Sequence, residues 1–345
     1  MGHEINTSRF MLRTDLISDT ITSFGISDFK MIKESIEDIN VDRITLDLKQ
    51  AELLNKKPGN YITISFEDIT DSSNQNKVIN VLSNELKQIL KINNIKDDDT
   101  VLVIGLGNSK STPDALGPKT VENILVTSHL FKLDNTDIEV GFRNVAAFIP
   151  GVMGVTGIET KDIILGILEH NKPHCLIVID ALASSTIDRV NKTIQITDTG
   201  IEPGSGVGNI RSEISLKTVG IPVIAIGVPT VVDAVTIVSD AINYLYKNIS
   251  YKKETINQAS SKLKINENYL NYKSNLNPTE KQKLVGIIGT LNEEEIKSLI
   301  FEVLTPINYN LMVTPKEIDF LIEKLSFVLA KGINNCLHQN KQLNL

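Results

Sequence analysis

The 345-residue chain is 41% hydrophobic and 22% charged, the balance of a folded globular protein with room for one large core or two small ones, which excludes disorder and collagen-like repeats. Its 35 Lys and Arg against 42 Asp and Glu leave a formal charge of −7 with no basic block, so the electrostatic footprint of a direct nucleic-acid binder is missing. Two cysteines, Cys175 and Cys336, make neither a disulfide framework nor a zinc site, and a chain without Trp and with 5% aromatic residues has few rings on which to stack bases or sugars.

The first residues hold no apolar run of the signal-peptide kind, and no uncharged apolar stretch of about 18 residues occurs, so a cytoplasmic protein without a membrane partner is expected. FEDITDSSNQNK, 66–77, reads as an exposed loop and 77–94 as a helix. TVLVIGLG, 100–107, reads as a buried strand, LGPKTVENILVTSHL, 116–130, as a helix, and VGFRNVAAFIPG, 140–151, as another strand. In TGIETKDIILGILEHNK, Thr156 and Glu159 have the spacing of a capping box that opens a helix. HCLIVIDAL is a second buried strand, TIQITD a strand running into a Gly-rich loop, and IPVIAIGVPTVVDAVTIVSDAINYLY a strand passing directly into a helix. Residues 251–280 turn polar, and two helical patterns follow, the second opened by Thr314 and Pro315. The expected class is α/β, a mostly parallel twisted sheet flanked by helices, with a C-terminal helical appendage over 251–345.

Chemistry concentrates at the strand ends. In VIGLGNSKSTPDALGP, 103–118, Gly105, Gly107 and Asn108 let the main chain turn close to a ligand, and Pro113 stiffens the loop before Asp114. Lys110 breaks the dinucleotide fingerprint. Asp114 alone is better explained as the cap of the following helix. LIVIDALASS, 176–185, ends a buried run in Asp180, a carboxylate that burial makes costly unless it is paired, hydrogen-bonded or protonated. If the two strands are neighbours, the carboxylates meet over one crevice, share a proton and can activate water against a peptide carbonyl; the same pair could instead hold a divalent metal. The loop 197–211 carries Gly204, Gly206 and Gly208, backbone donors for a substrate or a plain flexible connection, with Asp198, Glu202 and Arg211 unassigned. His170 and His174 flank Pro173 and do not share a helix face as a metal pair would.

With these residues in hand the chain resembles the germination proteases of endospore-forming bacteria. The likeness runs through RTDL at 13–16, GLGN at 105–108, TPDALGP at 112–118, PGVMGxTGxET at 150–160, VIDALAS at 178–184 and GIxPGSGVGNxR at 200–211. It implies an atypical aspartic endopeptidase, unrelated in fold to pepsin, with a sheet similar to the hydrogenase maturation proteases and their phosphorylase-like relatives. The family's catalytic aspartates fall on Asp114 and Asp180, with no metal and no cofactor.

The resemblance further implies an inactive zymogen that cuts its own propeptide, here residues 1–15, between Asp15 and Leu16, leaving a catalytic domain over 16–250. It implies small acid-soluble spore proteins as substrates, the forespore and spore core as location, and a homotetramer. The competing readings are a metal-dependent maturation-type peptidase or amidohydrolase on the same aspartates, a peptidyl-tRNA hydrolase suggested by GLGN but opposed by Ser109-Lys110 and the net charge, and a spore protein that only binds its partners.

Overall fold

The computed structural model describes residues 31–132, 141–204, 211–255, 269–270, 272–304 and 311–338. The expected propeptide, with Asp15 and Leu16, lies outside them, as do Gly206 and Gly208. The strands are β1 (Met31–Ile36), β2 (Ile39–Leu46), β3 (Gly59–Ser65), β4 (Val101–Gly105), β5 (Val145–Phe148), β6 (Cys175–Ser184), β7 (Thr193–Thr197), β8 (Val223–Asp233) and β9 (Met312–Val313). The longer helices and one short one at the site are α1 (Ser72–Ile92), α2 (Leu116–Val121), α3 (Thr160–Asn171), α4 (Ala234–Thr255), α5 (Pro278–Val285), α6 (Glu293–Leu304) and α7 (Ile318–Leu337).

The strands form one sheet in the order β1-β2-β3-β7-β8-β6-β4-β5, with β9 beside β8. It is mixed, not mostly parallel. β4 runs parallel to β5 and β6, while the β1–β2, β2–β3, β3–β7, β7–β8 and β8–β9 pairs are antiparallel. The difference begins with a hairpin whose turn residues Glu37 and Asp38 both sit at positive φ, +51° and +70°. Such a turn is usually written Asn-Gly or Asp-Gly, so Glu-Asp gives little warning of it.

Local signals explain most element ends. Asp71 accepts the Asn74 N–H at 2.8 Å and starts α1 at Ser72, inside the stretch read as a loop. The expected helix over 116–130 is two pieces, α2 and the short helix Ser128–Lys132. Thr127 leaves the helical path between them because its N–H and hydroxyl bond the main chain of Val145 on β5, each at 2.9 Å. The capping box of Thr156 and Glu159 does not form. Thr156 ends the short helix Met153–Thr156, stopped by Gly157 at φ +71°, and α3 starts at Thr160 without a side-chain cap. Likewise α7 opens at Ile318, after Pro315 has accepted the Ile318 N–H in a preceding turn.

Two units are described separately. The larger gathers described residues within 31–184, 188–231 and 314–338. One face of its sheet, with Val101, Val103, Ile177, Ile179 and Ile226, packs against Val78, Leu82 and Leu86 of α1 and Ile322, Leu325 and Leu329 of α7. The opposite face, with Leu102, Ile104, Leu176 and Val178, packs against Ile164 of α3 and Ile214. Thus α7 is part of this core, 20 residues of it last in the chain but central in packing. The smaller unit gathers the described residues within 185–187 and 232–313, where Val235 of α4 packs on Ile296 and Ile300 of α6. Among the described residues no helix is long and apolar enough to cross a membrane.

Candidate active site

β4, β5 and β6 run parallel, so their C-terminal ends lie at one edge, where an α/β sheet offers its crevice. β4 stops at Gly105, opposite Ile179 of β6, and the next N–H, Leu106, still reaches the Ile179 carbonyl at 2.8 Å. The following residue on β6 is Asp180. It is 6% exposed, and its Oδ1 accepts the Ala181 N–H at 2.9 Å.

Asp114 closes a 3-10 turn, Thr112–Asp114, and this turn packs against β6. Its N–H bonds the Ser111 carbonyl at 2.8 Å, and the Pro113 carbonyl accepts the Thr230 hydroxyl of β8 at 2.7 Å. The turn is therefore held from both β6 and β8. Asp114 is no helix cap: the capping position of α2 belongs to Ala115, and α2 has no side-chain cap. Its Oδ2 instead accepts the Asn108 N–H at 2.8 Å. Burial pushes the carboxyl up from the ordinary aspartate range, against the opposing pull of that N–H.

Two glycines make the approach close. Gly107 has φ +111°, and a Cβ there would stand 2.0 Å from the Asp114 carbonyl oxygen. A Cβ on Gly117 would meet the Leu106 carbonyl at 2.2 Å and the Ile179 carbonyl at 2.7 Å, so only Gly lets α2 begin against the tips of β4 and β6. Gly105 thus ends a strand, and Gly107 and Asn108 shape the loop around Asp114. Gly204 has φ +73°, and the carbonyl of the preceding Pro203 accepts the Arg211 N–H at 3.1 Å.

Other charged candidates are accounted for structurally. Asp198 accepts Asn60 N and Nδ2 at 2.8 and 2.7 Å and Asn93 Nδ2 at 3.1 Å. Glu202 and Glu213 share Lys57 at 2.8 and 3.1 Å. His174 bonds Thr100, pinning the start of β4. Among the described residues no group of three or more His, Cys, Asp or Glu side chains is arranged to hold a metal ion. Thr230 was not singled out from the sequence: a single Thr in the apolar strand GVPTVVD carries no local sign that it will hold Pro113 from 117 residues away.

The sequence model of the family described as germination protease matches residues 8–344. A germination protease of Oceanobacillus iheyensis is 52% identical over 96% of this chain and 95% of its own length. Those of a Geobacillus species (strain WCH70) and of Bacillus mycoides are 46% and 45% identical, each over 98% of this chain and over 97% and 96% of their own lengths. These matches define the class first, a peptidase. The chain belongs to the germination protease family, whose members are proteases of spore germination.

Proposed function

We propose that this chain is an endopeptidase that starts the degradation of small acid-soluble spore proteins during germination, with Asp114 and Asp180 as a metal-free, water-activating acid pair. One observation carries the reading: a half-buried carboxyl whose burial favours the protonated form rides on a turn packed against the strand that bears a second buried carboxylate. Such an environment separates the two roles. Asn108 N–H occupies Oδ2 of Asp114, so the proton rests on Oδ1 and is donated to the substrate carbonyl oxygen. Asp180 takes a proton from water, whose oxygen attacks the carbonyl carbon. Collapse of the tetrahedral intermediate passes a proton to the leaving amide nitrogen and restores the pair.

The remaining features of this reading follow the family: a hydrogenase-maturation-protease-like catalytic domain over 16–250, a propeptide of residues 1–15 cut between Asp15 and Leu16, a homotetramer, and residence in the spore core; the helical region over 251–345 rests on its sequence pattern alone. Sequence identity of 45–52% to germination proteases along nearly the whole chain supports carrying them over.

The test is cleavage of a purified small acid-soluble spore protein by the chain and its Asp114→Asn and Asp180→Asn variants. Each variant should lose about three orders of magnitude or more in kcat, the scale of removing one member of a catalytic unit, while remaining folded. Full turnover by either variant, or turnover abolished by EDTA and restored by a divalent ion, would overturn the acid-pair reading.

A further inference from the structure

At the opposite end of the parallel strands from Asp114 and Asp180, the starts of β4 and β5 border a cavity of about 80 Å³, several times the space that one water needs. Four polar side chains line it. Ser128 and Lys132 come from the short helix Ser128–Lys132, four residues apart and so on one face; Asn144 stands just before β5, and Asn171 ends α3. Among the described residues none of these four side chains makes a hydrogen bond or an ion pair.

Main-chain hydrogen bonds hold the three donor-bearing segments in place. The Val101 N–H donates to the Asn144 carbonyl at 3.0 Å, and the His174 N–H donates to the Thr100 carbonyl at 2.9 Å, which ties the end of α3 to the start of β4. The Thr127 N–H donates to the Val145 carbonyl at 2.9 Å and fixes the start of the short helix beside β5. The four side chains are thus brought together by strand pairing, before any ligand arrives, and little ordering is left for binding to supply.

The charge balance selects an anion. Lys132 is the one charged side chain among the described residues that line the cavity, and no Asp or Glu is among them. The end of α3 opposes an anion with a partial charge of about half a unit, less than the full charge of the ammonium, and its Leu168 carbonyl is already covered by the Lys172 N–H at 3.1 Å. An ammonium, a hydroxyl and two carboxamides offer more donors than one planar carboxylate can use. Arriving from three elements, they surround a centre, which suits the oxygens of a tetrahedral oxyanion with lysine as its point charge.

We propose that this cavity is a binding site for inorganic phosphate, held by Lys132, Ser128, Asn144 and Asn171 at the end of the sheet away from the carboxylates. A bound phosphate bridges the short helix, β5 and the end of α3, so its occupancy stabilises the fold.

The test is equilibrium dialysis of radiolabelled phosphate against the full chain, with ionic strength held constant by sodium chloride. One phosphate per chain should bind saturably. Lys132→Gln should weaken binding about tenfold or more and Asn171→Leu about three- to tenfold, while Lys132→Arg should keep it within about threefold of the parent. Lys49→Gln, which removes an exposed lysine on another helix, should bind as the parent does. At ten times its dissociation constant, phosphate should raise the melting temperature of the parent on the order of 2 °C more than that of Lys132→Gln. No saturable binding, parent-like binding by Lys132→Gln, or an equal loss in Lys49→Gln overturns the proposal. Tighter binding of glycerol 1-phosphate than of phosphate, in competition with the label, overturns the assignment to the inorganic ion.

Discussion

Gly107→Ala gives the sharpest perturbation of the site without touching a carboxylate. The new Cβ would be built 2.0 Å from the Asp114 carbonyl oxygen, where real Cβ contacts stay beyond 3.0 Å, so the loop or the Asp114 turn must retreat by about 1 Å. The turn is bonded to Ser111, Thr230 and Asn108, and little of that retreat can be absorbed without moving the carboxyl. A displacement of about 1 Å in a reacting group costs on the order of 10²-fold in rate. The φ of +111° adds strain of about 1–3 kcal/mol to any side chain at this position. Gly220→Ala is the matched control: its φ is +79° but a Cβ there meets nothing within 4 Å, so it should lose about 1 kcal/mol of stability and no activity. Cleavage rates and urea midpoints of the two variants separate the effects. A folded Gly107→Ala chain that cleaves at the parent rate would refute the positioning of Asp114 by this loop.

Arg43 grips the buried Glu85 of α1 through Nε and Nη2, at 2.7 and 2.5 Å, with Glu85 1% exposed. Arg43→Ala should therefore cost about 3–5 kcal/mol in urea unfolding, and Arg43→Met with Glu85→Leu should regain most of it. His338 is buried, with Nδ1 accepting the Arg143 N–H at 3.3 Å and Nε2 facing the Leu125 carbonyl at 3.2 Å; burial holds its pKa below the usual 6.5. The unfolded chain then takes up the proton first, so the stability advantage of the parent over His338→Asn should be constant above about pH 6.5 and shrink as pH falls through the lowered folded value, read from melting curves. A pH-independent difference would contradict it. Burial raises the Cys175 and Cys336 thiols to about 12, so neither should react with iodoacetamide at pH 8 until the chain is denatured, checked by mass spectrometry.

The strands that carry the site were legible because their information is local. VLVIG and CLIVI are unbroken apolar runs, and such runs mark strands buried on both faces. Asp180, directly after CLIVI, stands out for the same reason, since a carboxylate that follows an apolar run demands an explanation, whereas Asp114, in a turn well past the end of VLVIG, carries no such mark. The Gly-rich loop 105–108 reads as an approach to a ligand, while the close approach that Gly107 makes in the fold is to the main chain of Asp114.

What the linear chain could not state was set by partners far away in it. Pairing of β3 with β7 joins Ile62 to Ile196 and makes the sheet mixed, a choice that neither segment expresses alone. Thr127 breaks a helical pattern because β5 offers it hydrogen bonds, and α7 enters the core because α1 presents Val78 and Leu82 to it. Thr230 takes its place from Pro113, whose carbonyl accepts its hydroxyl. Residue periodicity decides which side of a strand or helix is apolar; only the closing of distant contacts decides what that side meets, and so which carboxylate is held and on which turn.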